Sequence, residues 1–221
     1  MKVTIFAATG GIGRELLEQA LVDGHDVTAA VRRPGQVSAD VRTVAADLAA
    51  PDQAQLESAV AGADAVLSGL GPRSAADRGI TSRGTRAIVS AMQAAGARRL
   101  LVVSAAPIGT VASPSRPKPP RHDPGDGIVM RTLLNPMIKV VLRQHYADLA
   151  LMEDAVAGSG LDWTIVRPPR LTDKPLTGSY RTAYGRNLRR GLTISRADVA
   201  HLMLGLVTEP DSIGQTVGVA Y

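Results

Sequence analysis

Cysteine is absent from the 221-residue chain, which excludes a disulfide framework and a thiolate metal site and suits a reducing compartment. Aromatic residues are scarce: one Trp, one Phe and four Tyr, too few for a platform on which single-stranded bases stack. The formal net charge is +5, but the arginines are scattered, so the charge reads as a solvated basic surface plus a phosphate pocket, with no nucleic-acid partner. Uninterrupted apolar runs are missing too. The most apolar stretch, 128–142, is broken by Arg131, Asn135, Pro136 and Lys139, so it is expected to be a core or lid helix and not a membrane span. The chain enters a strand at once, without the basic leader and apolar run of a secretion signal, and a cytoplasmic protein is expected. His25, His122, His145 and His201 lack metal-ligand spacing, and no metal is expected.

Glycine, by contrast, is placed where backbone must come close to something. The apolar strand Val3-Thr4-Ile5-Phe6 runs into Ala7-Ala8-Thr9-Gly10-Gly11-Ile12-Gly13, and a helix over 12–22 follows with Ile12, Leu16, Leu17, Ala20 and Leu21 on one side, stopped by Gly24. A second strand, 26–31, ends in Arg32-Arg33. Such a turn lets a pyrophosphate approach the backbone, where the free N–H groups and dipole of the helix N-terminus stabilise its charge. An acidic residue at the tip of the second strand would accept the ribose 2′-hydroxyl of NAD, whereas a guanidinium clasps the 2′-phosphate of NADP. The pattern therefore predicts NADP(H). Ala7 stands where the three-glycine spacing has its first glycine; a methyl group is expected to tighten the turn and leave the site intact.

Further along, strands at 41–45, 65–68, 99–104, 161–166 and 215–220 alternate with helices at 53–60 and 79–95, a helix restarting at Asn135-Pro136 and closed by Gly158, and a last one from the cap Ser195 to Val207. This is the α/β pattern of a doubly wound, mostly parallel sheet flanked by helices, without repeats or an internal domain boundary across 1–221. The stretch 107–127 carries six prolines and three glycines and reads as a long loop leaving the carboxyl edge of the sheet. Two roles fit it: a mobile substrate lid or a passive insertion.

Several segments together resemble the atypical short-chain dehydrogenase/reductase superfamily, in its NmrA-like and flavin reductase/biliverdin reductase B branch. They are the 7–13 turn, Val31-Arg32-Arg33, Asp47-Leu48, Asp64-Ala65-Val66, Val103-Ser104-Ala105, Ser159-Gly160-Leu161, Pro168-Pro169-Arg170-Leu171 leading to 175–180, and the late run 193–200. The resemblance implies a Rossmann-like fold. It also implies that Thr9, Gly10, Gly11, Ile12 and Gly13 lie under the pyrophosphate, that Arg32 and Arg33 hold the 2′-phosphate, and that Asp47 and Leu48 flank the adenine. Leu70 and Gly71 would line the middle of the cofactor, Ser104 and Ala105 the nicotinamide, and Pro168, Pro169, Arg170 and Leu171 its end wall. Plainer roles stand beside these: a helix or turn cap for Asp47, a strand terminator for Pro168-Pro169.

Reductases of the wider superfamily pair a Tyr with a Lys four residues on, to protonate a developing alkoxide. Here Tyr146, Tyr180 and Tyr184 are followed at that spacing by Ala150, Tyr184 and Leu188. A ketone taking hydride becomes a strongly basic alkoxide and needs a positioned acid, whereas flavins, quinones and linear tetrapyrroles give delocalised weak bases that solvent protonates. The protein would then supply proximity and orientation to a conjugated planar acceptor. Ser104 is the candidate for a hydrogen bond to the carboxamide or acceptor, or else a hydroxyl capping its strand. His145 is a weaker candidate, since a lone His on the inner stripe of a helix is more often core. The resemblance leaves two functions open, an NADPH-dependent reductase and an NADP(H)-binding redox sensor without turnover. A sugar-nucleotide or isoflavone-type reductase is disfavoured by the missing lysine. The expected partner is a small molecule, and the chain is expected to be a monomer or weak homo-oligomer.

Overall fold

A computed structural model of the protein describes residues 1–72, 77–125 and 142–221. The strands in chain order are β1 (Lys2–Phe6), β2 (Asp26–Val31), β3 (Arg42–Ala45), β4 (Ala65–Ser68), β5 (Arg99–Val103), β6 (Asp162–Arg167), β7 (Arg170–Thr172), β8 (Arg181–Tyr184), β9 (Thr193–Ser195) and β10 (Gln215–Ala220). Eight of them form one sheet in the order β3-β2-β1-β4-β5-β6-β10-β8, parallel throughout except for β8, which runs antiparallel to β10 at the edge. The chain crosses from β3 back over β1 to β4, so the carboxyl ends of β1 and β4 flank the crevice where this topology binds ligands. Register puts Ile5 beside Ala29 on one side and Leu67 on the other, and all four residues of β4 are buried, as a strand covered on both faces requires.

Helices cover both faces. α1 (Gly11–Val22) and α5 (Arg196–Leu206) lie on one, packing Leu16, Leu17, Ala20, Val199 and Met203 against Val3, Ile5, Leu101 and Val217. α2 (Gln53–Val60), α3 (Ile80–Ala95) and α4 (Arg143–Ala157) lie on the other, with Leu56, Ile88, Met92 and Met152 against the lone Phe6, Val66, Leu100 and Ile165. The expected α/β, Rossmann-like doubly wound architecture is therefore the observed one. Most element ends agree within a residue or two; β6 is shifted by one, and β5 stops at Val103. The expected helix start at Asn135-Pro136 lies outside the described residues. Three strands among the described residues were not expected at all: the edge strand β8 and the small parallel pair β7 with β9.

Buried polar groups hold the ends of these elements together. The Arg99 guanidinium, its pKa lowered by burial, donates to the carbonyls of Leu206 and Val207 at the end of α5, to the carbonyl of Asp162 and to the hydroxyls of Thr164 and Ser212. α3 starts from Gly79, which has no side chain to cap it, and Asp148 of α4 accepts the N–H groups of Thr81 and Ser82 instead. Asp198 accepts from the N–H and hydroxyl of Thr177, the N–H of Gly178, the hydroxyl of Ser195 and the hydroxyl of Tyr221. Burial pushes the Asp198 carboxyl up, but these bonds, led by Tyr221, outweigh it and hold it down at about 2.

A carboxylate whose folded pKa lies below its unfolded one stabilises the fold above the unfolded value and loses that contribution as pH falls towards the folded value. The urea midpoint is expected to fall as pH drops from about 4 to about 2. Asp198→Asn, weaker by about 2 kcal/mol at neutral pH for its stranded donors, should show a shallower fall; parallel pH profiles for the two proteins would refute this.

Candidate functional site

The backbone turns sharply where β1 meets α1. Ala7 adopts φ 56°, its carbonyl accepts the Gly10 N–H at 2.7 Å, and Gly10 then accepts the Arg14 N–H to start the helix. Gly13 lies so close to the turn that a Cβ there would sit 2.1 Å from the Ala7 oxygen, and a Cβ on Gly69, just past β4, would lie 2.9 Å from the Gly13 nitrogen. Position 7 departs from expectation in kind. The alanine costs little space; its cost is conformational, about 1 kcal/mol for a left-handed residue with a Cβ. The N-cap Gly10 has no side chain and the first turn of α1 carries no acidic residue, so neither competes with an anion for the leading N–H groups. This cradle, which a Cβ would fill, fits the pyrophosphate of a nicotinamide dinucleotide.

Beside it, Thr9, Arg32, Asp47, Leu48, Leu70 and Gly71 line a single cleft, joined by Gln36, Asp77 and Ile80, which the sequence did not single out. Arg32 stands exposed at the rim with no ion pair among the described residues, while Arg33 is exposed outside the lining. Asp47 lines the cleft, and its Oδ1 accepts the Ala49 N–H as a turn cap.

Ser104, Ala105 and 168–171 lie at the ends of β5 and β6. The two segments stay paired past the strands, through Ser104 N–H to Val166 and Ala106 N–H to Pro168. Ser104 is buried, and its hydroxyl donates to Glu153 of α4 at 2.6 Å. Glu153 is gripped by Arg167 through Nε at 2.9 Å and Nη2 at 2.5 Å, with Arg116 at 3.9 Å. The one Ser104 proton is thus committed, and towards a bound ring the hydroxyl presents acceptor lone pairs. Nothing in the spacing of Glu153 and Arg167 marks them as a pair. Arg170 is exposed and Leu171 packs on the core beneath β7. His145 is half-buried against Tyr146, away from the cleft lining, and burial lowers its pKa, with Asp148 opposing.

The proline-rich segment begins with a short 3-10 turn, Ala106–Thr110, a departure from a structureless loop, and fully buries Ile108. Ser113 and Ser115 donate to Asp154 of α4, Arg116 donates to the carbonyls of Ile108 and Val111, and Asp123 accepts the N–H groups of Gly125 and Asn187. Up to residue 125 the segment is fastened down, so a lid built from it would have to release these bonds; 126–127 lie outside the described residues. No helix among the described residues is long and apolar enough to cross a membrane.

Gly13→Ala is expected to cost about 1–3 kcal/mol in thermal unfolding, as overpacking does, and to abolish dinucleotide heats in calorimetry. Ala7→Gly, which trades strain for chain entropy, should stay within about 1 kcal/mol of the parent and keep binding. The reverse ranking of the two variants would contradict the cradle geometry.

Residues 7–210 match the model of a family described as NAD(P)H-binding. A relative from Bacillus subtilis, named an uncharacterized sugar epimerase YhfK, is 29% identical over 96% of this chain and 90% of its own length. The UPF0659 protein C216.03 of Schizosaccharomyces pombe is 32% identical over 62% of the chain, and the match spans about half (51%) of that relative's length. Among solved structures, a short-chain dehydrogenase/reductase of Veillonella parvula in complex with NADP aligns with TM-score 0.77 at 17% identity, covering 100% of this chain and 94% of that one. ChuY of Escherichia coli O157:H7, described as an anaerobillin reductase, aligns with TM-score 0.76 at 22% identity, covering 100% and 97%. The cradle, the cleft beside it and the match along most of the chain agree: the protein belongs to the NAD(P)H-binding family.

Proposed function

We propose that the protein is an NADPH-dependent reductase that passes hydride to a conjugated planar acceptor, a flavin, quinone or linear tetrapyrrole. The observation that carries the choice of NADPH is Arg32, exposed at the rim of the cleft beyond β2, its guanidinium in no ion pair among the described residues and open to a 2′-phosphate. When bound, the coenzyme supplies the hydride. The chain's own residues bind and orient: the open N–H groups of α1 for the diphosphate, Arg32 with Arg33 nearby for the 2′-phosphate, Asp47 and Leu48 for the adenine, Leu70 and Gly71 for the middle, and Ser104 with 168–171 for the nicotinamide end.

The choice of acceptor follows from where protons are held. Tyr146 is buried on α4 with its pKa raised by desolvation and lies outside the cleft lining, and the Ser104 proton belongs to Glu153. A ketone would leave an alkoxide for which neither Tyr146 nor Ser104 is placed to donate, whereas a delocalised acceptor takes its proton from water. The name of ChuY points to tetrapyrrole chemistry on the same fold, which supports this class of acceptor without deciding among its members. The same commitment of Tyr146 and Ser104 elsewhere favours a second reading, a redox sensor that binds NADP(H) without turnover.

Calorimetry should show that replacing Arg32 and Arg33 by alanine weakens NADPH by about 10- to 100-fold, the worth of charged hydrogen bonds, and NADH by less than about twofold. Equal losses would sink the 2′-phosphate role. Following nicotinamide absorbance with flavin, quinone and biliverdin then separates the readings. Acceptor-dependent oxidation supports the reductase, and tight binding without it supports the sensor.

A further inference from the structure

Gly11 lies outside the three-glycine spacing, whose positions are 7 (alanine here), 10 and 13. The structure gives it a different reason. A Cβ at position 11 would meet Arg196 at 2.6 Å from Nε and 2.7 Å from Cδ, so the side chain of Arg196, the first residue of α5, lies directly on the first residue of α1. Arg196 is poorly placed for its own helix, because a cation at a helix N-terminus opposes the dipole. Its guanidinium is carried across to the N-terminus of α1, where a cation alone is no better placed, beside an N-cap glycine with no side chain and a first turn with no acidic residue. There its Nη1 is paired with Asp173 at 2.5 Å. The Arg196 side chain is 31% exposed and that of Asp173 88%, so this is a surface ion pair that a better-placed anion can displace at small cost.

We propose that Arg196 is a binding residue for the coenzyme diphosphate, and that Asp173 holds its guanidinium in the empty protein and gives it up when the dinucleotide enters. Resting on the reading of the cradle as a dinucleotide site, this adds a cation from the far end of the chain, 183 residues past the cradle's last glycine as 196 less 13. Arg32 selects for the 2′-phosphate at one end of the coenzyme. Arg196 serves the diphosphate common to both nicotinamide carriers, so it adds affinity without discriminating between them.

Calorimetric titration of three probes tests this: NADPH, ADP, which keeps the 5′-diphosphate, and adenosine 2′-monophosphate, which lacks it. Arg196→Gln is expected to weaken NADPH and ADP by about tenfold, as loss of a charged hydrogen bond does, and to leave adenosine 2′-monophosphate within about twofold. Asp173→Asn, at an exposed position, should tighten ADP about threefold by freeing the guanidinium. A folded Arg196→Gln protein that binds ADP as the parent does, or loses all three probes equally, overturns the proposal. If that variant does not fold, Asp173→Asn decides, and unchanged ADP affinity overturns it. Parent protein that binds neither NADPH nor ADP ends this proposal and the proposed function together. Loss of NADPH on replacing Arg32, with ADP indifferent to Arg196, ends this proposal alone.

Discussion

One backbone contact sets the geometry of everything above the sheet: α1 approaches the end of β1 until its third residue touches the Ala7 carbonyl, with the backbone beyond β4 closing in at Gly69. No side chain fits between these three segments. The approach aims the free end of α1 at the crevice and fixes how far the tips of β2 and β4 stand from it. The places proposed for a diphosphate at the helix end, a phosphate at Arg32 and an adenine at Asp47-Leu48 are distances measured from that contact. The strain accepted at Ala7 is local, and the surrounding backbone leaves the turn no alternative.

With one Phe and one Trp, the chain builds its two core layers from aliphatic side chains, and buried charges fix how the layers meet. Arg99 fastens α5 to β5 and β6, Asp148 ties α4 to the start of α3, Asp198 gathers β9, the 177–178 turn and the last residue, and Glu153 with Arg167 locks α4 to the end of β6. Such groups are costly to bury and costlier to strand, so they add little net stability when complete and penalise any arrangement that breaks them. Their common effect is specificity of placement. The Glu153 pair reaches the candidate nicotinamide end through Ser104, joining the framework to the site.

The central strands and the helices against them were legible because their signals are long and one-sided: 65–68 is apolar or small and wholly buried, and 12–22 has one apolar stripe. The cleft was largely legible for the same reason, since Thr9, Arg32, Asp47, Leu48, Leu70 and Gly71 all follow strand ends whose order the topology dictates. What stayed hidden depends on contacts between distant residues. β7 and β9 are three residues each, too short for a period to register, and β8 is mostly exposed. Glu153 looks like an ordinary charge on a helix until Ser104, 49 residues earlier, and Arg167, 14 later, close around it. Ser195 showed as a helix start, but the donors to Asp198 from Thr177 and Tyr221 arrive from 21 and 23 residues away.

The contact between Gly11 and Arg196 also bears on how relatives are compared. Any side chain at the first of these positions occupies the volume through which the guanidinium stem passes, so an arginine at the second would have to point elsewhere. The two sites are therefore expected to covary, and a homologue with a bulky residue after Gly10 must meet its diphosphate by other means. Aligning the glycine turn alone would miss that divergence, because its explanation is written near the opposite end of the polypeptide.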